Sequence, residues 1–244
     1  MKMLNQLGEF GYLGYQVAAN LRYSIRDRRR LWFQMDHVGV NSIPLVLLVG
    51  FFAGAIIAWQ GAYQFRGMVS LDVLGGQASR VIVMEMGPVL TALVIAGRIG
   101  ASMTAEIGTM RVTEQVDALR TMALDPVRYI VLPRFLALSL MMPILTVFSN
   151  LVGILGCYLV SRYFLDITRQ TFFASIKTFL ELPDLTGGLV KALIFGMLIS
   201  LIGCHKGLST AGGARGVGRS TIASFVLSAI FILVGDFFLW LILF

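Results

Sequence analysis

Residues Glu85 to Arg134 read EMGPVLTALVIAGRIGASMTAEIGTMRVTEQVDALRTMALDPVRYIVLPR. The stretch opens as an apolar helix, rich in glycine and alanine, that carries Arg98. It continues as a short amphipathic segment, Ala105 to Leu119, with charges of both signs. Asp125-Pro126 then stops the helix before the next apolar run. A membrane helix, a short charged helix at its cytoplasmic end and a second membrane helix suit a transporter subunit driven by an external motor.

The rest of the chain agrees with a membrane setting. Hydrophobic residues make up 57% of it and charged residues 14%, against about 45–50% and 25% in soluble domains. Five apolar runs carry the excess: about Val40–Trp59, Val81–Met103, Phe135–Val160, Leu185–Cys204 and Thr221–Phe244. At ~1.5 Å per residue, some twenty residues cross a ~30 Å hydrocarbon core. The predicted fold is an all-α integral membrane protein. Residues 1–30 form an amphipathic interfacial helix, and residues 31–244 a single transmembrane domain of five spans. The coupling segment, 105–119, lies on the cytoplasmic side between the second and third spans.

In the first thirty residues Leu4, Leu7, Phe10, Gly14, Val17, Leu21 and Ile25 recur at steps of three and four, so they share one helix face. Arg22, Arg26, Arg28, Arg29 and Arg30 follow, a pattern that fits a helix lying in the headgroup plane. Packing on protein is the alternative for the same face. Past Trp59 the first span stays half apolar, with Ile57, Gly61, Gln64, Phe65 and Met68 on roughly one face. That face either lines a lipid pocket or anchors the helix end at the interface. Gly75-Gly76 reads as a hinge before the second span, and Gly97 with Ala101 as a small-xxx-small pair for close helix packing. Residues 162–184 hold a small helix on the outer face, with Phe172, Ile176, Phe179 and Leu180 at helical spacing.

Four charges fall within the spans: Glu85, Arg98 and Asp236, and Lys191 nearer a helix end. A charge in hydrocarbon costs ~2.5–3.5 kcal/mol on insertion scales unless it is paired or snorkels. Arg98 either snorkels to the inner interface or pairs with Glu106 or Asp236. Lys191, near the outer end of the fourth span, reads as snorkelling.

Lysine and arginine placement sets the orientation. Thirteen fall on the side of the N-terminus, the second-to-third connection and the glycine-rich stretch after Cys204, against five on the other side. By the positive-inside rule the N-terminus is cytoplasmic and, after five spans, the C-terminus is on the far side. A net charge of +7 is therefore explained by topology. The arginines make no aromatic-interleaved patch, so nucleic acid is not expected as a partner. Cys157 and Cys204 lie near opposite ends of their helices, which argues against a disulfide. His37 and His205 stand alone, so no metal site is expected. Nor is there a cleavable leader pattern at the N-terminus.

Gly213-Ala-Arg-Gly-Val-Gly-Arg-Ser220 imitates the phosphate-cradling GxxxxGK[ST] loop. The lysine is an arginine, no strand precedes it and a membrane helix follows, so nucleotide binding is not expected. No nucleophile–base or paired-carboxylate arrangement emerges, and the chain reads as a non-catalyst.

The run GPVLTALVIAGRIGASMTAEIGTMRVTEQVDALRTMALDPVRYIVLPR closely resembles the MlaE/YrbE family of ABC-transporter permeases, those of MCE-type phospholipid transporters. GARGVGRST and the helix carrying Asp236 are similar to that family's C-terminal pattern, and the likeness covers the chain from about residue 10. The resemblance implies a permease homodimer in a bacterial inner membrane, moving phospholipid between inner and outer membranes and so serving outer-membrane lipid asymmetry. It implies a cytoplasmic ABC ATPase dimer, which would carry the ATP and Mg, so no cofactor is expected in this chain. It also implies a periplasmic MCE-domain hexamer and, in some systems, a small accessory subunit. The C-terminus would then be periplasmic.

On the positions matching the family's motif, the ATPase-coupling residues are Glu106, Gly108, Thr109, Met110, Glu114, Gln115 and Asp117. The AGR element is Ala96, Gly97 and Arg98. Where many relatives read Arg-Glu-Leu-Gly-Pro, this chain has Met84-Glu85-Met86-Gly87-Pro88, without the arginine. For the docking itself, Glu114 and Asp117 are expected to meet basic residues of the motor while Met110 and Val116 fill a groove.

Two other classes compete. An ion-coupled secondary carrier would use Glu85, Arg98 and Asp236 as its path, but such carriers often show internal repeats, and none is evident. A non-transporting membrane scaffold would need neither intramembrane charges nor a cavity.

Overall fold

The structure, a computed structural model, describes residues 2–20, 28–65 and 71–243, and the regular structure among them is helical. In chain order the helices are α1 (Lys2–Asn20), α2 (Arg28–Val38), α3 (Ile43–Phe65), α4 (Leu74–Val81), α5 (Gly87–Ile95) and α6 (Ala101–Val112). There follow α7 (Gln115–Thr121), α8 (Leu132–Phe164), α9 (Arg169–Phe179), α10 (Leu182–Leu208) and α11 (Gly213–Leu243). Three π-helical turns, Ile82–Met86, Ala96–Gly100 and Val127–Val131, join α4 to α5, α5 to α6 and lead into α8. Single π turns inside longer helices often mark functional positions. Two of these three hold the intramembrane charges Glu85 and Arg98.

Among the described residues five stretches are long and apolar enough to span a bilayer: Arg29–Gln64, Leu71–Val112, Val127–Phe164, Leu182–Leu208 and Gly213–Leu243. The first four each enclose one expected span and the fifth covers its span to Leu243, and the stretches run beyond the expected starts because the helices continue past the apolar cores. The clearest case is the glycine-rich stretch after Cys204. Gly213 to Ser220 is the start of α11, not a loop, and the connection from α10 is only residues 209–212. Gly212 and Gly213 have φ of 90° and 67°, a left-handed corner that glycine takes without a Cβ clash. A helical 213–220 offers no loop to wrap a phosphate, which removes the P-loop likeness on structural grounds.

At the N-terminus α1 is described to Asn20, with Leu13 and Val17 buried. Leu21, Arg22, Ile25, Arg26, Arg66 and Met68 lie outside the described residues, as do the side chains of Leu4, Leu7 and Phe65. Arg28 opens α2, a helix separate from the first span's α3.

The chain forms two compact units. One comprises residues 1–41, 95–141 and 194–235, the other 42–94, 142–193 and 236–244. In the second, Ala58 and Ala62 of α3, Leu74 and Ala78 of α4, Ile82, Cys157 of α8, Ile167 and Phe172 of α9 make one buried cluster. Gly75 and Gly76 sit inside α4, where no hinge exists. A Cβ on Gly75 would meet the Phe172 carbonyl oxygen at 2.8 Å, and one on Gly76 the Ser175 oxygen at 2.5 Å. The Gly76 N–H, one of the helix's unsatisfied first-turn donors, donates to Ser175 Oγ at 2.8 Å. These glycines let α9 seat directly on α4.

Glycine also brings α3 against α8 in the same unit. Ideal Cβ atoms would stand 2.7 Å from the Ser149 carbonyl oxygen at Gly50, 1.8 Å from that of Gly153 at Gly54, and 2.3 Å from that of Phe51 at Gly156. Small residues permit such backbone contact where apolar lipid gives helices no solvent drive to associate. Gly97, expected to do this job, has only Phe225 at 3.4 Å.

In the first unit the close approaches are between α6 and α10 and are locked by a hydroxyl. A Gly207 Cβ would lie 2.7 Å from that of Ile107. Thr104 Oγ1 is buried, 2.8 Å from the Gly100 carbonyl, 3.1 Å from the Gly203 carbonyl and 2.8 Å from Ser224 Oγ. With one proton to give, it donates to a carbonyl and accepts from Ser224. Buried polar contacts of this kind hold membrane helices together.

Candidate functional site

The segment 105–119 is a corner, not one helix. α6 ends at Val112, and Thr113 N and Glu114 N donate back to the carbonyls of Thr109 at 3.0 Å and Arg111 at 3.3 Å. Glu114 then turns the chain with φ 62° and accepts from Ala118 N at 2.9 Å to start α7. A left-handed residue with a Cβ costs roughly 1–2 kcal/mol over a right-handed one. Glu114 is exposed, and its carboxylate makes no hydrogen bond or ion pair among the described residues. Glycine would hold this turn at less cost, so the carboxylate there is not explained by the fold of this chain.

Asp117 is committed internally. Its Oδ2 is 2.5 Å from Arg111 Nη1 and its Oδ1 3.5 Å from Arg120 Nη1, and it thereby braces α7 against the end of α6. Val116, expected to fill a partner's groove, is buried within its own unit. α7 closes in a Schellman motif, with Leu124 N donating to the Leu119 carbonyl at 2.9 Å and Ala123 N to that of Arg120 at 3.0 Å. Asp125 Oδ1 next accepts from Val127 N at 3.0 Å, with Pro126 as the first residue of the new helix. The Asp-Pro pair thus starts a helix as well as ending one. Val112, Met122 and Leu124 on this segment are exposed apolar side chains.

The other coupling positions are structural neighbours of the corner. Glu106 holds Arg134 at 3.1 Å and accepts from Ser102 Oγ at 3.2 Å. Gly108 is buried, with Thr210 Oγ1 3.0 Å from where a Cβ would be. Thr109 Oγ1 donates to the Ala105 carbonyl at 2.8 Å. Gln115 is exposed and Met110 half-buried.

The intramembrane charges resolve into two arrangements. Arg98 donates to the Asn41 carbonyl. The two acids expected as its partners are engaged elsewhere, Glu106 with Arg134 and Asp236 with a lysine. That lysine is Lys191. It does not snorkel: it is fully buried on α10, with Nζ 2.6 Å from Glu85 Oε1 and 3.0 Å from Asp236 Oδ1. Two carboxylates and one ammonium make a triad from the π turn before α5, from α10 and from α11. A lone lysine in an apolar run carries the same signal as a lone aspartate. Its nearness to the helix end suggested the easier escape. A second pair in this unit, Arg80 Nε to Asp184 Oδ2 at 3.0 Å, was not foreseen. Asp184 is buried and also accepts from Glu181 N at 3.1 Å, so it fixes the start of α10.

Of the expected lipid-facing residues, Ile57 packs on the α4–α9 core and Gly61 lies under Leu74, with Cδ1 at 2.7 Å from an ideal Cβ. Gln64 is exposed, as are Trp59 and Tyr63. Beside them an apolar cleft of about 490 Å³ is lined by Ala55, Ile56, Trp59, Gln60, Val160 and Phe164.

Five apolar stretches among the described residues, a buried lysine held by two carboxylates and a charged corner between the second and third stretches describe a polytopic helical membrane protein of the transporter type. The chain belongs to the permease MlaE family, whose sequence model matches residues 31–242, and it is an ABC-transporter permease of that family. It is 42% identical over 231 residues to a probable ABC transporter permease protein of Synechocystis, covering 94% of this chain and 88% of that one. It is 41% identical over 211 residues to another from Rickettsia typhi, covering 86% and 82%. Similarity extends to the chloroplastic protein TRIGALACTOSYLDIACYLGLYCEROL 1 of Arabidopsis thaliana, 35% identical over 226 residues, 93% of this chain and 64% of that one.

Proposed function

We propose that this permease moves phospholipid between the inner and outer membranes of a bacterium as a homodimer. A separate cytoplasmic ABC ATPase dimer drives it, and an MCE-domain hexamer receives or delivers lipid on the periplasmic side. The N-terminus is then cytoplasmic and the C-terminus periplasmic. The observation that carries the reading is the α6–α7 corner. A strained, exposed, unengaged Glu114 beside exposed Val112, Met122 and Leu124 suits a surface that docks on a motor, because charge there gives register and orientation. Motion of the motor would reach α5 and α8 through the bracing of Asp117, Arg111 and the Glu106–Arg134 pair. The exposed flank of α3 at Gln64 is the proposed lipid-lining face, continued by the cleft at Trp59 and Phe164. The triad supports this reading over a carrier, since Lys191 already holds both carboxylates an ion path would need.

Affinity purification of the solubilised complex, with mass spectrometry of proteins and lipids, tests the reading: an ATPase, an MCE protein and phospholipid are expected, and the chain alone refutes it. Glu114→Lys is the clean variant for the corner, because Asp117→Lys would also release Arg111. Co-purified ATPase is expected to fall about tenfold or more, as like-charge contacts cost several kcal/mol. Unchanged recovery would remove Glu114 from the docking surface. Photo-crosslinkers at Gln64 are expected to capture lipid, and none captured would displace the proposed path.

A further inference from the structure

The C-terminal half of α2 is fastened to the elements that frame the α6–α7 corner. We infer that α2 moves with that corner as one body and passes its displacement into α3, with Arg98 as the positioning residue of the linkage. The inference rests on the corner being the motor's docking surface.

Three contacts, all within the first unit, hold α2. The first is Arg98. It stands in the π turn Ala96–Gly100 that leads into α6 and donates to the carbonyl of Asn41. Asn41 lies in the single 3-10 turn Val40–Ser42 between α2 and α3. A guanidinium in a span is costly unless it is held or reaches water, and a methionine of similar length would carry no such cost. What Arg98 holds therefore accounts for its presence. The second contact is at His37, whose Nε2 lies 4.0 Å from Glu106 Oε1, further along α6. The other oxygen of that carboxylate holds Arg134 at 3.1 Å, so one acid faces both α2 and the start of α8. The third is steric. Val38 is buried, and a Cβ on Gly39 would run into Met141 Cε of α8, so the end of α2 is seated closely on that helix.

The stiffness of α6 completes the path. The helix is unbroken from Ala101 to Val112, and a helix of twelve residues is a rod of about 18 Å. At one end is the corner, where Asp117 on Arg111 braces α7. At the other is Arg98. A push at Glu114 is delivered along this rod to Asn41, and the chain enters α3 at Ile43. The first span, whose Gln64 flank is the proposed lipid-lining face, is thus driven from its inner end.

The test uses the assembled complex in proteoliposomes, with ATP hydrolysis and movement of fluorescent phosphatidylethanolamine measured together. Arg98→Met is expected to leave ATPase recovery and hydrolysis within about twofold. Lipid moved per ATP is expected to fall about fivefold or more, the lower end of ordinary coupling between sites. Arg98→Lys, which keeps a donor, is expected to retain more than methionine does. Arg162→Gln, exposed at the opposite end of α8 from Arg134, is expected to retain all of it. A second readout needs no motor: the distance between spin labels at Trp32→Cys on α2 and Thr113→Cys at the corner. Its distribution is expected to be narrow in the otherwise unaltered permease and broadened by Arg98→Met. Unchanged lipid per ATP in Arg98→Met, hydrolysis and transport lost in equal proportion, or a loss in Arg98→Lys as deep as with methionine would each overturn the inference. If the unaltered chain recovers no ATPase, the motor reading fails by itself and the labels decide the linkage. Equal distributions with and without Arg98 then overturn it, and broadening keeps α2 and α6 as one body.

Discussion

Lys191→Met is expected to destabilise the solubilised permease by about 3–5 kcal/mol, the usual cost of removing one member of a buried ion pair. Lys191 is the only cation of its triad and is fully buried. Without it Glu85 and Asp236 are left as two carboxylates with no positive charge between them. In a chain of this size each kcal/mol moves the midpoint by about 2–4 °C, so thermal unfolding in detergent should fall on the order of 10 °C. The triple variant Lys191→Met/Glu85→Gln/Asp236→Asn is expected to recover most of the loss, because neutral groups in place of buried charges are often tolerated. Measuring both by scanning fluorimetry separates the readings. A Lys191→Met midpoint equal to the unaltered one would show that the triad is not a stabilising unit. A recovered triple variant that no longer supports transport would give the charges a role beyond holding the helices.

The same triad shows where the sequence could and could not be read. Glu85 and Asp236 were visible as intramembrane charges because nothing in an apolar run excuses a carboxylate. Lys191 is equally visible as a residue, yet its depth along the helix allowed a long side chain to reach the interface. Only the packing of α10 beside the Glu85 turn and α11 shows that the ammonium points inward. Arg98 is equally visible, while one partner it donates to is the Asn41 carbonyl, a backbone group that no side-chain pattern marks.

The five spans were legible because apolar length is a local property. Their ends were not, since Gly213 to Ser220 is glycine-rich yet helical and a composition reading favours a loop. At the corner, the alternation of charge and apolar residues from Ala105 to Leu119 gave the segment's character. Its break at Glu114 was hidden, because glutamate carries no turn signal and the residues that force it, Asp117 on Arg111 and Val116 in the core, act through space. Met110 shows the same limit: its half-buried place near Tyr129 and Arg134 depends on neighbours distant in sequence.

Glycine gives the second large effect. Gly54→Leu is expected to prevent α3 and α8 from packing at all, and even Gly54→Ala to lower the melting point clearly. A Cβ there would lie 1.8 Å from the Gly153 carbonyl oxygen, 2.5 Å from its carbonyl carbon and 2.8 Å from its Cα. These are backbone atoms, so no side chain can rotate away and the two helices must separate. Separation also opens the approaches at Gly50 to Ser149 and at Gly156 to Phe51, which share the seam. Overpacking commonly costs about 1–3 kcal/mol where side chains can yield, and here the upper end is a floor. Gly218→Ala in α11 is the matched control, because nothing lies within 4 Å of its Cβ position. In a helix interior that change is expected to stabilise by up to about 1 kcal/mol. The same added methyl should therefore act with opposite sign at the two sites. If Gly54→Ala and Gly218→Ala move the midpoint alike, the contact between α3 and α8 is not the close glycine seam described, and the membrane core is held by the triad and the Arg80–Asp184 pair instead.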